Sequence, residues 1–106
     1  PRSTLFPYTT LFRSNPDDAQ GVLAAKPENL SFEEAAVVST AALEALHYLR
    51  ETNIQPGEKV LVIGAGGSIG TFAIQLAKQF GAEVTAVDRG QKRALILSLG
   101  ADHFID

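Results

Sequence analysis

Gly64, Gly66, Gly67, Ser68, Ile69 and Gly70 fall within seven consecutive positions, and Asp88 follows Gly64 by 24 residues, with Arg89 and Lys92 just beyond it. Residues of these types at this spacing could hold a phosphorylated ligand. Gly64 can turn the chain tightly. Gly66 and Gly67 carry no Cβ, so backbone there can approach an anion closely. A helix that opens near Ser68 and Ile69 would aim free N–H groups and its positive dipole end at that anion. The Ser68 hydroxyl could reach a phosphate or cap the helix, and both readings stay open. Gly70 would let the helix pack closely on the preceding strand. Asp88 could accept hydrogen bonds from the hydroxyls of a ribose. Arg89 and Lys92 could hold an extra phosphate on that ribose, or an arginine could stack on adenine. Each feature has a plainer alternative: a ligand-free turn for the glycines, a surface turn for Asp88, a solvated face for the two cations.

The elements around these residues decide how much weight the glycines carry. Val60 to Ile63 is a continuous apolar run, expected of a parallel strand covered on both faces. Ile69, Phe72, Ala73, Leu76 and Phe80 recur at helical spacing and should face the sheet. Gly81 can stop that helix. Glu83 to Asp88 reads as a second strand ending in an acid. Strand, glycine turn, helix, strand and terminal acid together form the first half of a dinucleotide-binding arrangement. Upstream, Ser31 and Glu34 form a capping box, and a helix follows from Phe32 to about Arg50. Its apolar face is Ala35, Val38, Ala42, Ala45, Leu46 and Leu49, and Pro56-Gly57 turns the chain into the first strand. Downstream, Ala94, Leu95, Leu97 and Leu99 suit a short helix ending at Gly100, and His103 to Asp106 begins a third strand. Right-handed crossovers then predict an α/β fold, a partial Rossmann domain: a doubly wound parallel sheet whose first three strands are ordered 3-2-1, preceded by a long helix.

Composition narrows the function classes. The 106 residues suffice for one domain at most. A net charge of −3 offers no basic surface, so no nucleic-acid partner is expected. With no cysteine there is no disulfide and no thiolate metal site, and His47 and His103 lack ligand spacing. No metal site is therefore expected in this segment. No apolar stretch reaches the ~18 residues of a membrane span, and no signal peptide pattern is visible, so a cytoplasmic protein without a membrane partner is expected. The first fourteen residues stand apart. Thr4-Leu-Phe-Pro-Tyr-Thr-Thr-Leu-Phe-Arg-Ser14 matches the translation of a widely used short-read sequencing adapter. Residues 1–14 are therefore expected to be non-native and are set aside from the fold argument. Without Arg2 and Arg13, seven basic residues stand against twelve acidic ones. The adapter-like start and the barely begun third strand together suggest a piece of a longer protein.

Residues 26–106 resemble the medium-chain dehydrogenase/reductases, and in particular their zinc-independent quinone oxidoreductase-like branch. The matching pieces are K-P-E-N-L-S-F-E-E-A-A (26–36), A-L-E-A-L-H-Y-L-R (42–50), N-I-Q-P-G-E-K-V-L-V-I-G-A-G-G-S-I-G-T-F-A-I-Q-L-A-K (53–78), F-G-A-E-V-T-A-V-D (80–88) and L-G-A-D-H-F-I-D (99–106). The resemblance implies a two-domain NAD(P)(H)-dependent oxidoreductase, usually a homodimer. Hydride would pass between nicotinamide and a small-molecule carbonyl, alcohol, quinone or activated alkene. Residues 15–38 would then be the tail of a GroES-like catalytic domain and its linker, and 39–106 the first half of the cofactor domain. Gly64, Gly67 and Gly70 match the family's pyrophosphate turn, with Gly64 in place of the usual alanine and Ser68 where many members have another glycine. Glu44 stands where many members carry threonine near the nicotinamide, and Thr40 lies one helical turn earlier. No catalytic residue is assigned. The cofactor is NAD(H) or NADP(H), with Asp88 favouring NAD(H) because a carboxylate repels a 2′-phosphate. The segment alone is expected to be inactive. Two alternatives remain: a non-catalytic nucleotide-binding Rossmann protein, or a methyltransferase-like Rossmann domain.

Overall fold

A computed structural model of the chain describes residues 24–106. The adapter-like residues 1–14 and the turn formers Pro16, Asp17 and Asp18 lie outside the described residues. The chain divides into two units, Pro1–Ala35 and Ala36–Asp106. In the first, the capping box forms as its spacing requires. The Ser31 N–H donates to Glu34 Oε2 at 2.8 Å, and the Glu34 N–H donates to Ser31 Oγ at 3.1 Å. Two of the donors that a helix start leaves free are thereby satisfied. The helix that follows, α1, spans Phe32–Glu51 and buries Ala41, Ala45 and Leu49. Of the expected face, Ala35, Val38, Ala42 and Leu46 are half-buried and flank that stripe.

The second unit carries the sheet. Strands β1 (Lys59–Ile63), β2 (Glu83–Val87) and β3 (His103–Ile105) alternate with helix α2 (Ser68–Gln79), a short 3-10 turn (Gly90–Lys92) and helix α3 (Arg93–Ser98). All pairs are parallel and β2 lies in the centre, so the order expected from right-handed crossovers is the one found. Lys59 to Ile63 pair residue for residue with Glu83 to Val87, and this register brings Ile63 and Val87 level at the C-terminal ends. Both βα connections therefore leave the sheet side by side. The core is one cluster built on Val62, Ala65, Ile74, Ala77, Val84, Ala86 and Ile96.

Three packing expectations change. The β1 run is covered on one face only among the described residues: Val62 is buried, while Leu61 and Ile63 are 58% and 77% exposed. Side chains alternate across a strand, and the helices cover the Val62 face. On α2 the residues buried deepest are Gly70, Ile74 and Ala77; Ile69 is exposed, and Ala73, Leu76 and Phe80 sit at the margin of the core. Two small residues on the contact line let the helix backbone approach the sheet, and larger side chains flank it. On α3 the expected leucines are outdone by Ile96, which is fully buried, while Leu95 and Leu97 are 50% and 38% exposed. A helix of six residues aims one side chain squarely at the sheet, and the periodicity of four apolar residues does not say which.

Candidate functional site

The site forms where β1 and β2 end. Gly64 takes a positive φ of 73°, in the left-handed region that side chains other than glycine's rarely adopt. Its N–H and that of Ala65 both donate to the Val87 carbonyl, at 2.9 and 3.2 Å, which ties the turn to the tip of β2. Gly67 is the N-cap of α2 with an extended backbone and no side-chain cap. Ser68 is thus the first helical residue, and the capping role open to its hydroxyl falls instead to the Gly67 position. The first bond of the helical ladder runs from the Thr71 N–H to the Gly67 carbonyl at 2.9 Å. The N–H groups of Ser68, Ile69 and Gly70 stand ahead of it, at the positive end of the helix, as a phosphate site needs. Gly70 is buried against the turn itself: a Cβ there would lie 2.5 Å from the Gly64 carbonyl oxygen and 2.7 Å from Ala65 Cα.

Asp88 follows β2 directly, and its side chain is 9% exposed. Its Oδ2 accepts from the Gly66 N–H at 2.8 Å, and its Oδ1 from the Arg89 N–H at 2.7 Å. These two backbone donors, Gly66 first, hold the carboxyl below the usual aspartate range, with help from the nearby Lys92 charge. The Lys92 ammonium lies 3.5 Å from Asp88 Oδ1 and donates to the Gly66 carbonyl at 3.3 Å. Arg89 is exposed. The structure thus gathers Gly64, Gly66, Gly67, Ser68, Ile69, Gly70, Asp88, Arg89 and Lys92 around one turn and the helix it opens. Glu44 and Thr40 are exposed on α1.

Sequence reasoning missed one residue here. Asp106 Oδ1 accepts from the Gly90 N–H at 3.0 Å and so braces the loop after Asp88 from the end of β3. The sequence gives no signal for it, because the partner is a backbone group sixteen positions away. Among the described residues no group of three or more His, Cys, Asp or Glu side chains could hold a metal ion, and no helix is long and apolar enough to cross a membrane.

A glycine turn leading into a helix, closed by an acid at the tip of the next parallel strand, defines an α/β protein of the Rossmann kind. Comparison with known proteins narrows the class. The family model described as zinc-binding dehydrogenase matches residues 68–106. Alcohol dehydrogenase 1 of Emericella nidulans is 40% identical over 81 residues, which cover 76% of this chain and 23% of that protein. The 2-methylene-furan-3-one reductase of Solanum lycopersicum is 44% identical over 87 residues, covering 80% of this chain and 22% of that protein. Among solved structures, the quinone oxidoreductase of Thermus thermophilus, a protein also determined in complex with NADPH, superposes with a TM-score of 0.69 at 46% identity. That match covers 74% of this chain and 27% of the other. These similarities support a place for the chain in the medium-chain dehydrogenase/reductase superfamily. It spans about a quarter of the length of these relatives.

Proposed function

We propose that this chain supplies the adenosine and pyrophosphate half of a nicotinamide dinucleotide site in an oxidoreductase. The whole protein would move hydride between that cofactor and a carbonyl or alcohol, a quinone or an activated alkene. The observation that carries the reading is the open N-terminus of α2 beneath a left-handed Gly64, with the Asp88 carboxylate at the neighbouring strand tip. The residues fit the group. The N–H groups of Ser68, Ile69 and Gly70 would neutralise part of the pyrophosphate charge. Asp88 would take the adenosine ribose hydroxyls on the lone pairs its backbone donors leave free. Bound nicotinamide supplies the hydride; the residues here orient its far end.

The Asp88 carboxylate supports NAD(H) over NADP(H), since a 2′-phosphate would meet its charge. Replacing Asp88 by serine should weaken NADH binding and favour NADPH, moving the ratio of the two dissociation constants about tenfold, the size of one charge-assisted hydrogen bond. Titration by nicotinamide fluorescence measures both constants, and equal changes for both cofactors would overturn the assignment. The 106-residue chain should bind without turnover, because it carries the adenosine half of the site and no assigned group for the nicotinamide ring. NAD(P)H oxidation by the purified chain with a quinone or an enone would show otherwise.

A further inference from the structure

Both polar groups of the Gly66 backbone are taken by side chains from beyond β2. Its N–H donates to Asp88 Oδ2 at 2.8 Å, and its carbonyl accepts from Lys92 Nζ at 3.3 Å. The two side chains are themselves paired at 3.5 Å, four residues apart across the 3-10 turn. The aliphatic stem of Lys92 lies over Gly66 so closely that a Cβ on that residue would collide with Lys92 Cδ. A residue held at both its N–H and its C=O has both of its soft dihedrals restrained. Glycine has the most conformational freedom to lose, so restraint has the largest effect there.

We propose that Asp88 and Lys92 form a two-ended clamp on Gly66 that sets the shape of the glycine turn before the pyrophosphate arrives, and that Lys92 is a positioning residue for this turn and not a ligand for a 2′-phosphate. This rests on the dinucleotide reading above. A turn already in its bound shape spares the ordering cost at binding. Pyrophosphate is common to NADH and NADPH, so the clamp acts on both alike. A lysine that served a 2′-phosphate would act on NADPH alone, and in reaching for it would release Asp88 and Gly66 together.

The test is Lys92→Met in the full chain, which keeps the stem and removes the charge. Amide hydrogen exchange at Gly66 should quicken severalfold while the melting temperature stays unchanged. NADH and NADPH should both bind about two- to fivefold more weakly and by the same factor, the scale of a partly exposed ion pair. Unchanged exchange at Gly66, or a loss confined to NADPH, overturns the clamp. Failure of the unsubstituted chain to bind either cofactor overturns the dinucleotide reading instead, and the exchange rates still decide the clamp.

Discussion

Gly66 and Gly70 look alike in the sequence and differ in what surrounds them. A Cβ at Gly70 would meet backbone, the Gly64 carbonyl oxygen and Ala65, at 2.5 to 2.8 Å. Backbone held between a strand and a helix cannot step aside. A Cβ at Gly66 would meet the stem of Lys92, a flexible side chain that is itself partly exposed. Gly70→Ala should therefore cost about 1–3 kcal/mol of stability, as overpacking does, and Gly66→Ala much less. Thermal or denaturant unfolding of the two variants measures the difference, and equal losses would contradict it. Asp88 makes a second prediction through its charge. Its folded-state carboxyl titrates below the unfolded one because the Gly66 and Arg89 N–H groups favour the anion. Its contribution is fully present above the unfolded value of about 3.9 and fades as pH falls through the lower folded value. Stability should thus fall more steeply with acid below about pH 4 in the unsubstituted chain than in Asp88→Asn. Parallel acid-unfolding curves for the two would refute this.

Helix α2 shows what periodicity can and cannot locate. Its start, its length and the strands on either side are legible in the sequence, because glycine breaks and apolar runs are local signals. Which stripe lies on the sheet is not, since Ile69, Phe72, Ala73, Leu76 and Phe80 wrap much of the helix and size misleads. The deepest line, Gly70, Ile74 and Ala77, is set by how near two backbones must come. Ile74→Ala should cost about 2–5 kcal/mol, as large-to-small changes in a full core do. Ile69→Ala, at an exposed position, should cost no more than about 0.5–1 kcal/mol. The reverse ranking in urea would restore the stripe read from the sequence. The same helix is fastened at its other end by Asp102, whose carboxylate receives the Lys78 ammonium at 2.8 Å and the Val84 N–H at 2.7 Å. Those two partners, Lys78 first, hold its carboxyl low as well. No spacing rule announces this link, because it joins a helix, a strand and the loop before β3. The candidate site shares the pattern: its glycines and Asp88 are legible as a motif, whereas Lys92 over Gly66 and Asp106 under Gly90 are contacts between distant positions.

The second unit as a whole has one well-covered sheet face and one open side. β1 is an edge strand among the described residues, and its outward residues Leu61 and Ile63 are exposed. Beside them runs an apolar groove of about 600 Å³ whose lining includes Ala45, Tyr48, Leu49, Ile54, Ile69 and Ala73. An exposed strand edge of this kind carries free N–H and C=O groups next to apolar side chains, the combination that invites pairing with another chain. The one charge on the strand, Lys59, sits at its start, 82% exposed, and its nearest acid is Glu83 at 4.0 Å, too loose and too solvated to guard the edge. Sedimentation of the purified chain should accordingly show concentration-dependent association at micromolar levels. Ile63→Lys places a charge at the far end of the edge without touching the buried Val62 face, and should shift the chain toward monomer while leaving its melting temperature nearly unchanged. Association that survives Ile63→Lys and a second charge at Leu61 would place the sticky surface elsewhere. The contrast with the glycine turn is physical. Every backbone group of the turn named above has a partner or faces a position where an anion would sit, and the β1 edge has neither.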